Sequence, residues 1–325
     1  MTALNVLIVG GAGYIGSHMV KNLCGRGVNV TTFDNLSSGH RDAVLGGEFI
    51  QGDLADRAAL ERVFAAHRFD AVMHFASFIE VGESVRLPAK YYRNNVSNTL
   101  NLLECMQAAG VEQFIFSSTA ALFGIPQRVP IDESHPTDPI NPYGRSKLMV
   151  EQILADLGRA HGLRSVCLRY FNAAGADPDG QLGERHHPET HLIPLVLQAA
   201  SGRRPSMSVF GTDYDTPDGT CIRDYVHVAD LCEAHWLALQ SLAQGAGSQA
   251  YNLGNGDGFS VFEVIDTVRS VTGREFMVKH ETRRAGDPSR LVADSSAARQ
   301  KLGWVPKYPS LRTIVEHAWA FEQRR

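Results

Sequence analysis

The chain has 325 residues, with 31 Lys and Arg against 35 Asp and Glu, a formal net charge of −4 and 44% hydrophobic residues. That balance excludes a disordered chain and a dedicated nucleic-acid binder, which needs a basic face. No run approaches the ~18 apolar residues of a membrane helix, so neither nucleic acid nor membrane is expected as a partner. The length suits about two domains with a sizeable core and no disulfide staples.

In chain order, Leu4 to Val9 is an apolar run ending in glycines, which predicts a buried strand. Further strands are expected at Val28 to Phe33, Ala71 to Phe75, Gln113 to Phe116 and Ser165 to Leu168, with a weaker one at Glu48 to Ile50. Between them, helical patterns cover Tyr14 to Arg26, Arg57 to His67, Ala89 to Ala109 and Tyr143 to His161. Strands alternating with helices predict an α/β fold with a doubly wound parallel sheet. Its strands are covered on both faces and therefore apolar throughout.

After about residue 172 the rhythm changes. Ala173 to Thr190 and Phe210 to Gly219 read as loops rich in Gly and Asp. Asp230 to Leu242 and Val261 to Thr272 read as helices, and Tyr251 to Leu253 as a short strand. The expected division is 1–172 as a cofactor domain and 173–325 as a smaller mixed α/β substrate domain. Residues 225–254 are expected to return to the first. No Pro/Ser linker separates the two, which predicts a shared interface with a cleft.

Cys24, Cys105, Cys167, Cys221 and Cys232 are scattered without a C-x-x-C pair, which fits a reducing cytoplasm and bystander thiols. The start of the chain has no basic n-region and reaches glycine too early for a secretory segment. The sequon at Asn95-Val96-Ser97 is accordingly read as chance.

Gly10, Gly13 and Gly16 form G-x-x-G-x-x-G between the first strand and the first helix. Glycine there permits the tight turn, the close approach of backbone to a diphosphate and tight helix packing. The phosphates would rest on free N–H groups at the helix start. Asp34 ends the second strand, 18 residues beyond Gly16. A carboxylate there accepts ribose hydroxyls and repels a 2′-phosphate, favouring NAD over NADP. Asp53 is a natural adenine-side partner, with a plain Gly-Asp-Leu surface turn as the alternative.

Tyr143 and Lys147 stand at i and i+4, on one face at the start of a predicted helix. A phenol of pKa ~10 is a poor base at neutral pH, and a nearby ammonium lowers that value. Ser117-Ser118-Thr119 ends the preceding strand, at the edge where open α/β sheets bind ligands. For at least one of the two serines, satisfaction of local backbone groups is the expected role.

These motifs together resemble the extended short-chain dehydrogenase/reductases. Asp34–Gly39, His74–Ser77, Val81–Val85, Tyr91–Asn95, Asn141–Lys147, Leu168–Asn172, Asp218–Val228, Tyr251–Gly254 and Arg283–Asp287 narrow the resemblance to that family's UDP-glucose 4-epimerase branch. The resemblance implies a Rossmann-type domain, resident NAD and a UDP-hexose substrate inverted at C4 through a 4-keto sugar, with hydride passed to NAD and back. It implies Tyr143 as base, Thr119 as the hydrogen-bonding partner of the sugar 4-hydroxyl that helps proton transfer, and Lys147 as the group that tunes Tyr143 and holds the nicotinamide ribose. Implied cofactor contacts are Gly10, Gly13, Tyr14, Ile15, Gly16, Asp34, Asn35, Ser38, Gly39, Asp53, Leu54, Phe75, Ala76, Ser77, Asn94, Ser117 and Tyr170, besides Tyr143 and Lys147. Implied substrate contacts are Asn172, His191, Leu192, Phe210, Arg223, Arg284 and Asp287, with Thr119 and Tyr143. A homodimer through the helices at Ala89–Ala109 and Tyr143–His161 is implied as well.

Four positions depart from the family pattern. Thr119 replaces the usual Ser, Ile79 a cofactor-contacting Lys and His191 an Asn, while Leu291 stands near a residue that sets room at the sugar 2-substituent. Epimerases of UDP-N-acetylglucosamine or UDP-glucuronate are therefore alternatives. A 4,6-dehydratase is disfavoured because Ala120 and Ala121 stand where its acid and base would be. A non-catalytic NAD sensor need not keep Tyr143 and Lys147. His186, His187 and His191 are close in sequence, but Pro188 argues against a helix there. Solvated loop histidines and no metal are expected.

Overall fold

The computed structural model describes residues 3–284 and 286–325; Ala285, within the Arg283–Asp287 motif, lies outside them. The first half runs β1 (Asn5–Val9), α1 (Tyr14–Gly25), β2 (Asn29–Asp34), β3 (Glu48–Gln51), α2 (Arg57–Ala66) and β4 (Ala71–His74). It continues with α3 (Val81–Arg86), α4 (Pro88–Tyr92), α5 (Asn98–Ala108), β5 (Gln113–Thr119), α6 (Pro142–His161) and β6 (Arg164–Tyr170). The second half begins with β7 (Asn172–Ala174), α7 (Leu192–Ala200), β8 (Met207–Phe210), β9 (Ile222–Arg223), β10 (Tyr225–His227), α8 (Val228–Ala243) and β11 (Gln249–Leu253). It ends with β12 (Phe259–Ser260), α9 (Val261–Thr272), β13 (Val278–Glu281), β14 (Arg290–Leu291), α10 (Ser296–Leu302) and α11 (Leu311–Glu322).

Seven parallel strands form the main sheet in the order β11-β6-β5-β4-β1-β2-β3. The order reverses between β1 and β4, which opens a crevice at their carboxyl ends. β1 shows why such strands carry no polar face. Val6 and Ile8 enter a core shared with Met19 and Leu23 of α1 and Leu231 and Leu239 of α8. Leu7 and Val9 enter the opposite core, with Leu102 of α5 and Val150 and Leu154 of α6. Both faces are covered, giving the doubly wound α/β arrangement that the alternating pattern predicts.

Residues from late in the chain complete this half. β11 pairs with β6 (Gln249 opposite Val166, Leu253 opposite Tyr170), and α8 packs on α1, β5 and β6. Trp304 also joins this core, fully buried, its indole N–H donating 2.8 Å to Asp230 O. A separate core of Ile193, Val196, Val264, Ile265, Val268, Ile314 and Val315 joins α7, α9 and α11.

The single helix expected at Ala89 to Ala109 differs from what is found. A widened π turn at Arg93–Ser97 separates α4 from α5. There the Asn95 side chain, 1% exposed, bridges the main chain of Phe78 and the Ser146 hydroxyl. An inward amide needs local room that a regular turn does not give. The same burial leaves Asn95 no access as a glycosylation acceptor. Ala173 and Ala174, expected as loop, belong to β7 and pair with β10.

Candidate active site

Glycine is required at two points of the loop after β1. Gly10 has φ +82°, and a Cβ on it would lie 2.5 Å from the Ala76 nitrogen. A Cβ on Gly16 would lie 2.1 Å from Gly10 O. The loop therefore packs backbone against backbone at the β1/β4 crevice, and α1 presents its N–H groups there. The Gly13 cap offers no side-chain acceptor to them.

Asp34 ends β2 with its side chain turned to this loop, accepting Ala12 N at 2.9 Å and Leu36 N at 2.8 Å. Each carboxylate oxygen keeps a lone pair for ribose hydroxyls. Asn35 donates to Asp53 at 2.8 Å, and Asp53 also accepts Ala55 N of its own turn. Asp53 is thus a turn residue that lies beside Asn35. Gly39 packs against Ala12, next to Ser38, and Leu54 is buried in the core below. Ile15 packs on the opposite core. The Tyr14 hydroxyl is occupied otherwise: it donates to Gly175 O at 2.7 Å, tying the glycine loop to the second half.

Across the crevice, Tyr143 and Lys147 start α6, whose N-cap Asn141 accepts Gly144 N at 2.8 Å and whose first position is Pro142. Burial raises the Tyr143 phenol above its ordinary pKa, and a hydrogen bond from the Thr119 hydroxyl opposes that rise. Thr119 itself accepts Ala121 N at 3.1 Å. The Lys147 ammonium, 2% exposed, donates to Ser77 Oγ at 2.8 Å and Ser117 O at 2.7 Å. Burial pushes it down to about 7. Its direct partners are thus Ser77 and Ser117 rather than the phenol, so the pairing expected from the i, i+4 spacing is indirect. The Ser117 hydroxyl bonds Tyr170 Oη. Ser118 donates to Glu151, which also holds Arg169; Ser118 is the structural one of the two serines. Asn94 donates to Asn95 Oδ1, and Phe75 lies against His235 with ring centres 4.9 Å apart.

The second half brings a cationic cluster together. Arg223 in β9 pairs with Asp287 at 2.5 Å, and the Arg284 guanidinium lies 3.9 Å from the Phe210 ring centre. Asn172 donates to Asp224 O at 3.0 Å, leaving its carbonyl oxygen open. Leu192 begins α7, and Leu291 packs near Ala120, Phe123 and Phe171. Ile79 is exposed in the loop before α3.

His191 faces two carboxylates. Its Nδ1 lies 2.7 Å from Glu184 and 3.1 Å from Glu189. Burial opposes ionising these groups, but their mutual attraction wins, holding Glu184 below and His191 above their ordinary ranges. His186 joins the same cluster, 3.0 Å from Glu184, while His187 is exposed. Solvated loop histidines, the sequence expectation, therefore describe only His187; Pro188 breaks a helix but not the convergence.

Asp224 was not singled out by its sequence context. It is fully buried and accepts Asn255 N at 2.7 Å, Gly256 N at 3.1 Å and Ala293 N at 3.1 Å, joining two loops behind Arg223. A charged residue in the one-residue link between β9 and β10 carries no sequence signal of such burial.

A crevice with a phosphate-ready glycine loop, an acid ending β2 and a Tyr–Lys pair on the facing helix defines a dinucleotide-dependent protein of the Rossmann class. Residues 6–254 match the model of the NAD dependent epimerase/dehydratase family, to which the chain belongs. It is 53% identical over 321 residues to a UDP-glucose 4-epimerase of Rhizobium meliloti (strain 1021), covering 99% of this chain and 98% of that one. It superposes on a UDP-glucose 4-epimerase from Brucella ovis in complex with NAD with TM-score 0.96 and 51% identity, over 98% of this chain and 99% of that one. On the UDP-Glc/GlcNAc 4-epimerase from Campylobacter jejuni the TM-score is 0.88 at 44% identity, over 99% of this chain and 100% of that one. Among the described residues, no helix is long and apolar enough to cross a membrane.

Proposed function

We propose that this chain is a UDP-glucose 4-epimerase that keeps NAD bound and interconverts UDP-galactose and UDP-glucose through a transient 4-keto sugar. The observation that carries this reading is the Thr119–Tyr143–Lys147 arrangement at the carboxyl edge of β5, facing the glycine loop. Gly10 and Gly16, where a Cβ would collide with the protein's own backbone, let the loop pack tightly at the crevice where the first N–H groups of α1 can meet a diphosphate, and Asp34 fits an unphosphorylated ribose. Bound NAD supplies a reversible two-electron acceptor.

The chain's own groups handle position and protons. Tyr143 Oη removes the proton of the sugar 4-hydroxyl and returns it. Thr119 orients that proton. Lys147, fixed by Ser77 and Ser117, holds ribose hydroxyls and stabilises the phenolate by its charge. The remaining glycine-loop, β2-end and β4-end residues hold the cofactor. Arg223, Arg284 and Asp287 face the UDP diphosphate and ribose, with Phe210, Leu192 and the open carbonyl of Asn172 around the uridine. In the same reading, residues 1–172 with 225–254 hold NAD and the rest hold the UDP-sugar. Exposed Val85 on α3, Leu87 just before α4 and Met149 on α6 support a homodimer through the helices at Ala89–Ala109 and Tyr143–His161. Five unpaired cysteines support a cytoplasmic setting.

Purified protein given UDP-galactose, without added NAD, should form UDP-glucose, followed by the C4–H signal in NMR. A parallel incubation with UDP-N-acetylgalactosamine reads the room left by Leu291. No inversion of either sugar by NAD-loaded protein sinks the reading.

A further inference from the structure

The segment 184–191 gathers two imidazoles and two carboxylates whose nearest atoms all lie within 4.8 Å of one another. Nδ1 of His186 and Nδ1 of His191 aim at one oxygen, Glu184 Oε1, at 3.0 and 2.7 Å. Glu189 closes the group, 3.1 Å from His191 and 3.9 Å from His186. Both carboxylates are buried, with side chains 6% and 5% exposed.

The two imidazole rings stand with centres 5.2 Å apart, both beside Glu184. Two imidazoles and two carboxylates form a donor set whose charge matches that of a divalent cation. Bonds of ~2.0–2.2 Å to N and O in a tetrahedron put ligand atoms roughly 3.3–3.6 Å apart, so an ion would part Glu184 Oε1 from the two Nδ1 atoms, now 3.0 and 2.7 Å away, by a few tenths of an ångström.

We propose that Glu184, His186, Glu189 and His191 form a closed four-ligand site for a divalent transition-metal ion of the zinc class. Two nitrogens and two oxygens suit zinc better than calcium or magnesium, which take oxygen. Supporting contacts are in place: Glu189 Oε1 accepts Thr190 N at 2.8 Å and His191 N at 2.9 Å, and Tyr14 packs edge-on against His186. With four protein ligands the ion is structural. His191 is the N-cap of α7, and Arg185 between the ligands is held by His40 and Asp42 behind the glycine loop. The ion therefore clamps the start of α7 to the cofactor half, independently of the reaction proposed above.

The test uses untagged full-length protein stripped with EDTA. Zn2+ is titrated in competition with a chromophoric indicator, and Co2+ is loaded separately. We expect one Zn2+ per chain, a thermal midpoint raised by Zn2+, the intense visible spectrum of tetrahedral Co2+, and binding at least about 10-fold weaker in Glu184→Gln and His186→Gln. No stoichiometric Zn2+ in the wild type, or affinity unchanged in both variants, overturns the site. If the variants do not fold, the wild-type Co2+ spectrum decides, a weak six-coordinate spectrum or none overturning the proposal.

Discussion

Lys147 donates its ammonium to the main-chain carbonyl of Ser117 at 2.7 Å, from inside α6 to the end of β5. A cation fixed in this way is positioned before any ligand arrives, but it is costly to bury.

That cost has a pH signature. The folded Lys147 sits at about 7 against an ordinary 10.5. Below pH 7 both folded and unfolded chains carry its proton, and the burial penalty is present in full. Between about 7 and 10.5 the unfolded chain binds more protons, so this group's contribution to stability rises with pH, by at most about 1.4 kcal/mol per unit. Denaturant unfolding of wild type and Lys147→Met across this window should show wild type gaining on the variant as pH rises. Epimerase turnover of the variant should fall by roughly 10²-fold or more.

Tyr143→Phe removes the proton acceptor and little volume. Turnover should drop by about 10²–10⁴-fold while NAD remains bound. Thr119→Ser should stay within a few-fold of wild type, and Thr119→Ala should lose about 10-fold. Near-wild-type turnover in Tyr143→Phe would remove it as the base.

Gly16→Ala drives a methyl to 2.1 Å from Gly10 O. Neither side is a flexible side chain, so the loop itself must move. The variant should purify with little NAD, read by absorbance of the denatured supernatant, and lose roughly 1–3 kcal/mol of stability.

Arg223→Leu leaves Asp287 without its partner and removes a cation from the β9 strand. The KM for the UDP-sugar should rise by at least about 10-fold with a smaller change in kcat, the pattern of lost substrate binding. An equal fall in kcat alone would place Arg223 outside the substrate site.

Asp224→Asn keeps the shape but replaces a carboxylate accepting three main-chain N–H groups with an amide. One of those donors loses its acceptor, at a cost of about 1–3 kcal/mol. Thermal unfolding should register that loss before any change in the NAD site.

The first half was legible because its signals are local. The apolar run from Leu4 to Val9, the glycines after it and the Tyr143/Lys147 spacing each lie within a few residues. Family resemblance then supplied Arg223, Arg284 and Asp287, which spacing could not have joined across more than 60 residues. Short elements escaped. β9 and β14 have two residues each, too few for any period. α7, Leu-Ile-Pro-Leu-Val-Leu-Gln-Ala-Ala, is apolar nearly all round, with a Pro near its start, and so lacks the polar face that marks a surface helix. The orientation of Lys147 toward Ser77 and the convergence of Glu184, His186, Glu189 and His191 depend on how loops fold back, which no periodicity encodes.

The pairing of β6 with β11 also bears on synthesis. β6 is complete at Tyr170, but the strand that covers it ends at Leu253, and Trp304 behind α8 arrives later still. A growing chain thus holds a bare parallel edge for more than 80 residues. Such an edge invites pairing with another nascent chain. A fragment ending near residue 172 would carry the same exposed edge permanently and should precipitate rather than fold, so the cofactor half cannot be isolated simply by cutting the chain where its motifs end.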